Sequence, residues 1–254
     1  MPASQPALAA DSPRYVFQGR EVTMPVAVRR AASMAATYLV SAEAARRLLP
    51  GPELDVVELL PGRALFSIAC IDYIDNDLGD YDEVSLAFFV RERRAASGLP
   101  YLGAAADLLR NRLATWIWKL PVNQSFTCEA GRGIWGFPKT VEEIEFSDSG
   151  GRRRCRLAMD GREVLTFSAP LGGTRALPEA EMTTYTYIDG ALHRTTFASA
   201  ATGVGIHLGG AELTLGDHPI AGELRALGLP KRAMMSVWMG EMRGRFEAPV
   251  ATGG

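Results

Sequence analysis

Lysine is nearly missing from this chain. Only Lys119, Lys139 and Lys231 occur, so 24 of the 27 basic residues are arginine. Cysteine and histidine are equally sparse, at three each. Cys70, Cys128 and Cys155 are odd in number, widely spaced and without a Cys-x-x-Cys pair. That pattern argues against a disulfide framework and a zinc site, and it fits a reducing, cytoplasmic compartment. His193, His207 and His218 fall in no metal-ligand spacing and read as surface or structural residues. No apolar run approaches the ~20 residues of a membrane-spanning helix, so a membrane is not an expected partner. A formal net charge of −2 leaves no basic excess, and nucleic acid is not expected either. Residues 1–11 are rich in Ala, Pro and Ser and lack the basic and apolar regions of a secretory signal. They read as a loose tail ahead of one domain over residues 12–250.

What is present is a succession of short β patterns. Strand signals cover 21–28, 55–60, 63–71, 83–90, 141–146, 153–158, 162–167, 182–188, 192–198, 212–215 and 237–246. Pro61-Gly62, the Ser147 to Gly151 stretch and Asp189-Gly190 supply turns, the last being the strongest hairpin signal. Helical patterns are fewer: 41–50, capped by Ser41 and ended by Pro50, and 102–113. This is a mainly β (α+β) chain. An antiparallel β-barrel with a few short flanking helices is the economical way to remove its sheet edges. The aspartates between 72 and 80 lack the glycine and terminal glutamate of a calcium loop and read as a solvated acidic loop. Gly203, Gly205, Gly209 and Gly210 lack the βαβ setting of a dinucleotide fingerprint.

Against this background Lys139 stands out. It ends the run Gly131-Arg132-Gly133-Ile134-Trp135-Gly136-Phe137-Pro138-Lys139. In a chain that otherwise uses arginine, a lysine here points to a group that must be able to lose its proton, which arginine does not do. A desolvated lysine amine is the nucleophile that forms Schiff bases with carbonyl compounds. Trp135 and Phe137 are candidates for the dry wall around it. Taken by itself, the local pattern favours a β-turn with the lysine tip in water.

The run Gly131 to Lys139, with Leu120-Pro121-Val122 before it, resembles the lysine motif of the acetoacetate decarboxylase family. Gly19-Arg20-Glu21, the Ser41 to Pro50 segment and Gly79-Asp80-Tyr81-Asp82-Glu83 are similar to further family segments in the same order. The resemblance covers residues 15–145 well and 180–254 only diffusely. It implies a cone-shaped β-barrel and a lyase that decarboxylates a β-keto acid through a lysine iminium. It assigns Lys139 as the Schiff-base lysine, Glu83 as the glutamate inside the barrel and Arg20 as the arginine near the substrate carboxylate. Read on its own, Arg20 equally fits a surface ion pair with Glu21 or Glu43, and Glu83 a solvated strand start. Ser67 and Glu241 enter as weaker pocket candidates, the latter from the last strand, where an outward-facing carboxylate is the competing reading.

Two departures bear on the reaction. Decarboxylases of the family carry a second lysine after the first, where this chain has Thr140; they also carry an acidic residue where Ser67 stands after Phe66. Without the second cation, desolvation has to keep the Lys139 amine neutral. An aldolase-dehydratase or cyclase using the same lysine therefore stays open, as does a ligand-binding barrel without chemistry. The iminium supplies its own electron sink, so no cofactor or metal is expected. The expected partners are a small keto acid and further copies of the chain.

Overall fold

The structure, a computed structural model, describes residues 12–95, 100–110 and 112–252. The proposed tail at 1–11 therefore lies outside the described residues, apart from its boundary. In chain order the elements are β1 (Arg14–Phe17), β2 (Arg20–Thr23), β3 (Val26–Ser41), α1 (Ala42–Leu48), β4 (Leu54–Val56), β5 (Glu58–Leu60) and β6 (Arg63–Asn76). Then follow β7 (Tyr81–Glu92), α2 (Pro100–Leu109), β8 (Ala114–Val122), α3 (Ser125–Trp135), β9 (Lys139–Val141), β10 (Glu143–Ser149), β11 (Arg152–Met159) and β12 (Arg162–Pro170). The chain ends with β13 (Arg175–Ile188), β14 (Ala191–Leu208), β15 (Glu212–Leu215), α4 (Pro219–Ala226), β16 (Met235–Phe246) and β17 (Val250–Ala251).

Seven strands close a barrel in the order β3, β6, β7, β8, β13, β14, β16 and back to β3. Every step is antiparallel except β8 to β13. Closure leaves the barrel without an unpaired edge. A second sheet, β10-β11-β12-β15, covers one side of it. Strand alternation then gives each barrel strand two jobs. On β6, Phe66, Ile68 and Cys70 enter the core beneath the outer sheet, where they meet Cys155, Leu157 and Phe167. Ser67, Ala69, Ile71 and Tyr73 face the barrel lumen. Both faces are enclosed, so the strand reads as an almost continuous apolar run.

Sequence and structure differ most at β3. Most of it, Arg29 to Val40, is rich in alanine and carries little strand propensity of its own. Pairing with β6 on one side and β16 on the other fixes it as strand regardless. The acidic stretch expected as a loop over 72–80 is β6 through Asn76 and only then a turn. Three of its carboxylates are ion-paired: Arg29 holds Asp75 at 2.8 Å and Asp77 at 2.5 Å, and Arg153 holds Asp72 at 3.3 Å. Among the described residues no cluster of three or more His, Cys, Asp or Glu is arranged to hold a metal ion. All three cysteines are free and buried. No described helix is long and apolar enough to cross a membrane.

Asp82 is the outward neighbour of the lumen-facing Tyr81 and Glu83. Burial, followed by the Asp72 and Asp80 carboxylates, pushes its carboxyl up to about 6. An unfolded aspartate titrates near about 3.9. The folded chain thus binds this proton more tightly, and Asp82 subtracts stability as pH rises from about 4 to about 6 and above. Asp82→Asn removes that loss, and its side-chain oxygen can still accept from Asn123 Nδ2, now 2.9 Å from Asp82 Oδ2. The expected result is a Tm higher by a few degrees at about pH 8 and no gain at about pH 4, read by calorimetry.

Candidate active site

The barrel encloses a cavity of about 380 Å³, within the range of small-molecule sites. Lys139 opens β9, which runs parallel to the end of β8 with Lys139 opposite Leu120. Its side chain is buried to 4% exposure and points into the lumen. Glu83, 6% exposed, enters from β7, and its Oε2 is 2.9 Å from Lys139 Nζ. The amine donates a second hydrogen bond to Thr127 Oγ1 at 3.1 Å. It also lies over the Tyr81 ring, 4.8 Å from the centroid. Tyr81 stacks in turn on Tyr73, with centroids 4.6 Å apart.

Local sequence explains this placement. Tyr81, Glu83, Ser85, Ala87 and Phe89 alternate along β7, so all five face inward. Thr127 is carried by α3, which opens with Gln124 Oε1 accepting from Thr127 N at 2.9 Å. The helix closes at Gly136, whose φ of 66° lies in the left-handed region where glycine is favoured. From that turn the N–H groups of Gly136 and Phe137 return to the Arg132 and Gly131 carbonyls at 3.1 and 3.2 Å. The chain is thereby delivered into β9 with Lys139 facing in. Gly131 sits against the lysine stem: a Cβ there would lie 2.6 Å from Lys139 Cδ. The motif that reads as a turn is therefore the last turns of a helix. Its glycines conceal the helix because glycine lowers helix propensity by about 1 kcal/mol each.

The electrostatics overturn one expectation. Burial, the largest single influence, does pull the Lys139 pKa down. Glu83 and Tyr81 outweigh it, and the net shift is upward. Desolvation therefore does not keep this amine neutral at rest; Lys139 is an ammonium paired with a carboxylate. Burial pushes the Tyr81 phenol up to about 12 against the pull of Lys139, and it also raises Tyr73 well above the usual phenol range. Both phenols carry their protons at neutral pH.

The other sequence candidates divide. Trp135, Phe137 and Ser67 line the cavity. Trp135 and Phe137 stack at 5.7 Å, and Trp135 Nε1 donates to the Glu247 carbonyl at 2.9 Å. Arg20 does not line it. It begins β2, in a two-stranded hairpin outside the barrel, with its exposed guanidinium 3.9 Å from the centre of the Phe126 ring. Glu241 also points outward, 3.7 Å from Arg30. Thr140 is exposed, because it alternates with Lys139 along β9. Among the described lining residues Lys139 is the only cation and Glu83 the only anion. Tyr81, Tyr73, Thr127 and Gly131 were not singled out by sequence. The two-residue step from Tyr81 to Glu83 is the one signal that places a member of this group beside the glutamate.

The sequence profile described as acetoacetate decarboxylase (ADC) matches residues 13–242. No curated protein sequence matches the chain. Among solved structures, the chain is similar to acetoacetate decarboxylase from Legionella pneumophila, with a TM-score of 0.63 and 14% identity over 90% of this chain and 87% of that one. It is similar to the enduracididine biosynthesis enzyme MppR complexed with pyruvate, with a TM-score of 0.59 and 16% identity over 89% and 90%. An acetoacetate decarboxylase-like enzyme from Sphingomonas wittichii RW1 gives 0.56 and 11% over 94% and 98%. At these identities the structural likeness establishes the shared fold.

Proposed function

We propose a reaction from one premise: the chain belongs to the acetoacetate decarboxylase family. The reaction is Schiff-base catalysis on a keto acid, with Lys139 as nucleophile and loss of CO₂ from a β-keto acid as its outcome. The observation that carries this reading is the buried ion pair. A charge pair in an apolar cavity is weak support for stability, whereas active sites are where such pairs recur.

The pair also answers the raised lysine pKa. Glu83 Oε2 is already 2.9 Å from the ammonium, so one proton can pass from Lys139 to Glu83 without changing the net charge of the cavity. The freed amine attacks the ketone carbon, and the oxygen becomes the hydroxyl of a carbinolamine. Protonated Glu83 returns its proton to that hydroxyl, which leaves as water, and an iminium remains on Lys139. Cleavage of the bond to the carboxylate releases CO₂, and its electron pair moves into the iminium to give an enamine. Glu83, reprotonated from solvent, protonates the enamine carbon. Water then hydrolyses the new iminium, releasing the ketone and restoring the Lys139 ammonium. With Arg20 outside and no second cation on the lining, the substrate carboxylate meets no charged partner besides Lys139. A carboxylate stripped of water in this way is destabilised relative to the neutral CO₂ it becomes.

The cavity volume favours a second reading on the same lysine. About 380 Å³ accommodates two small carbonyl compounds, so the enamine can add to a second carbonyl in an aldol-dehydration sequence. CO₂ release from simple β-keto acids separates the two. Glu83→Gln tests the shared steps. It removes the proton acceptor, and turnover is expected to fall about 10²- to 10⁴-fold. With the carboxylate gone, burial acts on Lys139 with less opposition, so its pKa drops and borohydride-trapped adducts are expected to persist to lower pH. Unchanged turnover in Glu83→Gln would remove Glu83 from the mechanism.

A further inference from the structure

A row of threonines lines the lumen away from the lysine. Thr115, Thr184 and Thr195 stand side by side on β8, β13 and β14, and all three line the cavity. The Thr115 and Thr184 hydroxyls satisfy one another at 3.0 Å. Thr195 has no such partner. It is 1% exposed, and its Oγ1 makes no hydrogen bond among the described residues. A buried hydroxyl left in that state costs about 1–3 kcal/mol. Valine has the same shape without that penalty, so a threonine here indicates a group that completes it.

The ring order shows where that group lies. β14 is separated from β7 by β13 and β8 one way and by β16, β3 and β6 the other, and the register leads from Thr195 through Thr184 and Thr115 to Phe89, six residues along β7 from Glu83, so Thr195 stands across the lumen and further along it. Room between the walls comes from small inward residues. Ser85, Ala69 and Ala35 are in direct register on β7, β6 and β3, one inward step from Glu83. The next inward pair is Ala87 and Ser67. The volume, about a dozen waters' worth at roughly 30 Å³ each, exceeds what a four-carbon keto acid fills.

We propose that Thr195 is the second anchor of an elongated substrate. Its reacting ketone sits at Lys139, and its far end carries a neutral hydrogen-bonding group, such as an ester, amide or hydroxyl oxygen, that receives the Thr195 hydroxyl. A charged far end is disfavoured because it would meet no counter-ion on that wall. The inference rests on Lys139 being the carbonyl's anchor.

Its test uses ligands that carry no ketone, so that it does not depend on the chemistry. Two 3-hydroxy acids with chains of about ten atoms are titrated calorimetrically, one ending in a methyl group and the other in a primary amide. Wild-type protein is expected to bind the amide-ended acid at least about tenfold more tightly. Thr195→Val should erase that preference, with a Tm equal to or above that of wild type. Equal binding of the two ligands by wild type, binding of neither, or a preference surviving in Thr195→Val would overturn the proposal. The last result would mean that water or another group satisfies Thr195. Borohydride trapping of the corresponding 3-keto acids is read separately. Failure of that trapping with an intact amide preference would sink the Schiff-base reading and leave the Thr195 contact standing.

Discussion

Lys139→Arg is expected to reduce turnover to the buffer rate and to abolish any borohydride-trapped adduct, while the protein remains folded. Arginine keeps a positive charge for Glu83, so the buried carboxylate is not left alone. It does not provide a neutral nitrogen, because its pKa lies above about 12. A second variant separates charge from chemistry. Lys139→Met also lacks a nucleophile, but it strands Glu83 in an apolar cavity. Removing one partner of a buried pair costs about 3–5 kcal/mol unless the survivor takes up a proton. Lys139→Met is therefore expected to be the less stable of the two at neutral pH. Thermal melts at that pH read the electrostatic part, and turnover reads the chemical part. Turnover retained by either variant would exclude Lys139 as the nucleophile.

Gly131→Ala is also expected to impair catalysis, from a residue that does not line the cavity. The added carbon would stand 2.6 Å from Lys139 Cδ and 2.7 Å from Cε. The lysine stem cannot simply swing aside, because Nζ is held by Glu83 at 2.9 Å and Thr127 at 3.1 Å. Either the amine leaves Glu83 or α3 moves away from β9. Overpacking of this kind costs about 1–3 kcal/mol, partly offset by alanine's better helix propensity. A displacement near 1 Å at a reacting group costs on the order of 10²-fold in rate. The expected outcome is a kcat/KM lower by about 10²-fold or more with a Tm within several degrees of wild type. Wild-type kinetics in Gly131→Ala would mean that the lysine's position is not what limits the reaction.

These two residues also mark what the sequence made legible. Lys139 was visible because lysine is so scarce in the chain and because its motif resembles a family's. Gly131 sat in the same motif, but its role is a contact between a helix and a strand that only folding brings together. Glu83 is visible, whereas Tyr81 is not, because the strand signal at 83–90 begins two residues after β7 does. α1 and the hairpins at Gly150-Gly151 and Asp189-Gly190 carry local chemistry, a capping serine and left-handed glycines, and were found close to their observed bounds. β3 and α3 are held by tertiary pairing and packing against weak local propensity, whereas α4 carries local signals, Pro219 in its first turn and Arg225 in its last, and is absent from the helical patterns above. Arg20 shows the limit of carrying a role across by resemblance. The segment matches, but its hairpin turns the guanidinium toward Phe126 and away from the lumen.

The raised Lys139 pKa changes what the missing second lysine means. A neighbouring cation would lower the amine's pKa by repulsion; here a neighbouring carboxylate raises it and stands ready to take the proton instead. The position after Lys139 points outward as Thr140, so the charged neighbour of this amine comes from β7 and not from β9.

The most direct measurement is borohydride trapping on the purified protein with acetoacetate, pyruvate and longer β-keto acids, followed by peptide mass spectrometry. The account predicts a reduced adduct on Lys139, with none on Lys119 or Lys231. A protein that turns over a keto acid yet shows no Lys139 adduct, or carries its adduct on another lysine, would contradict it.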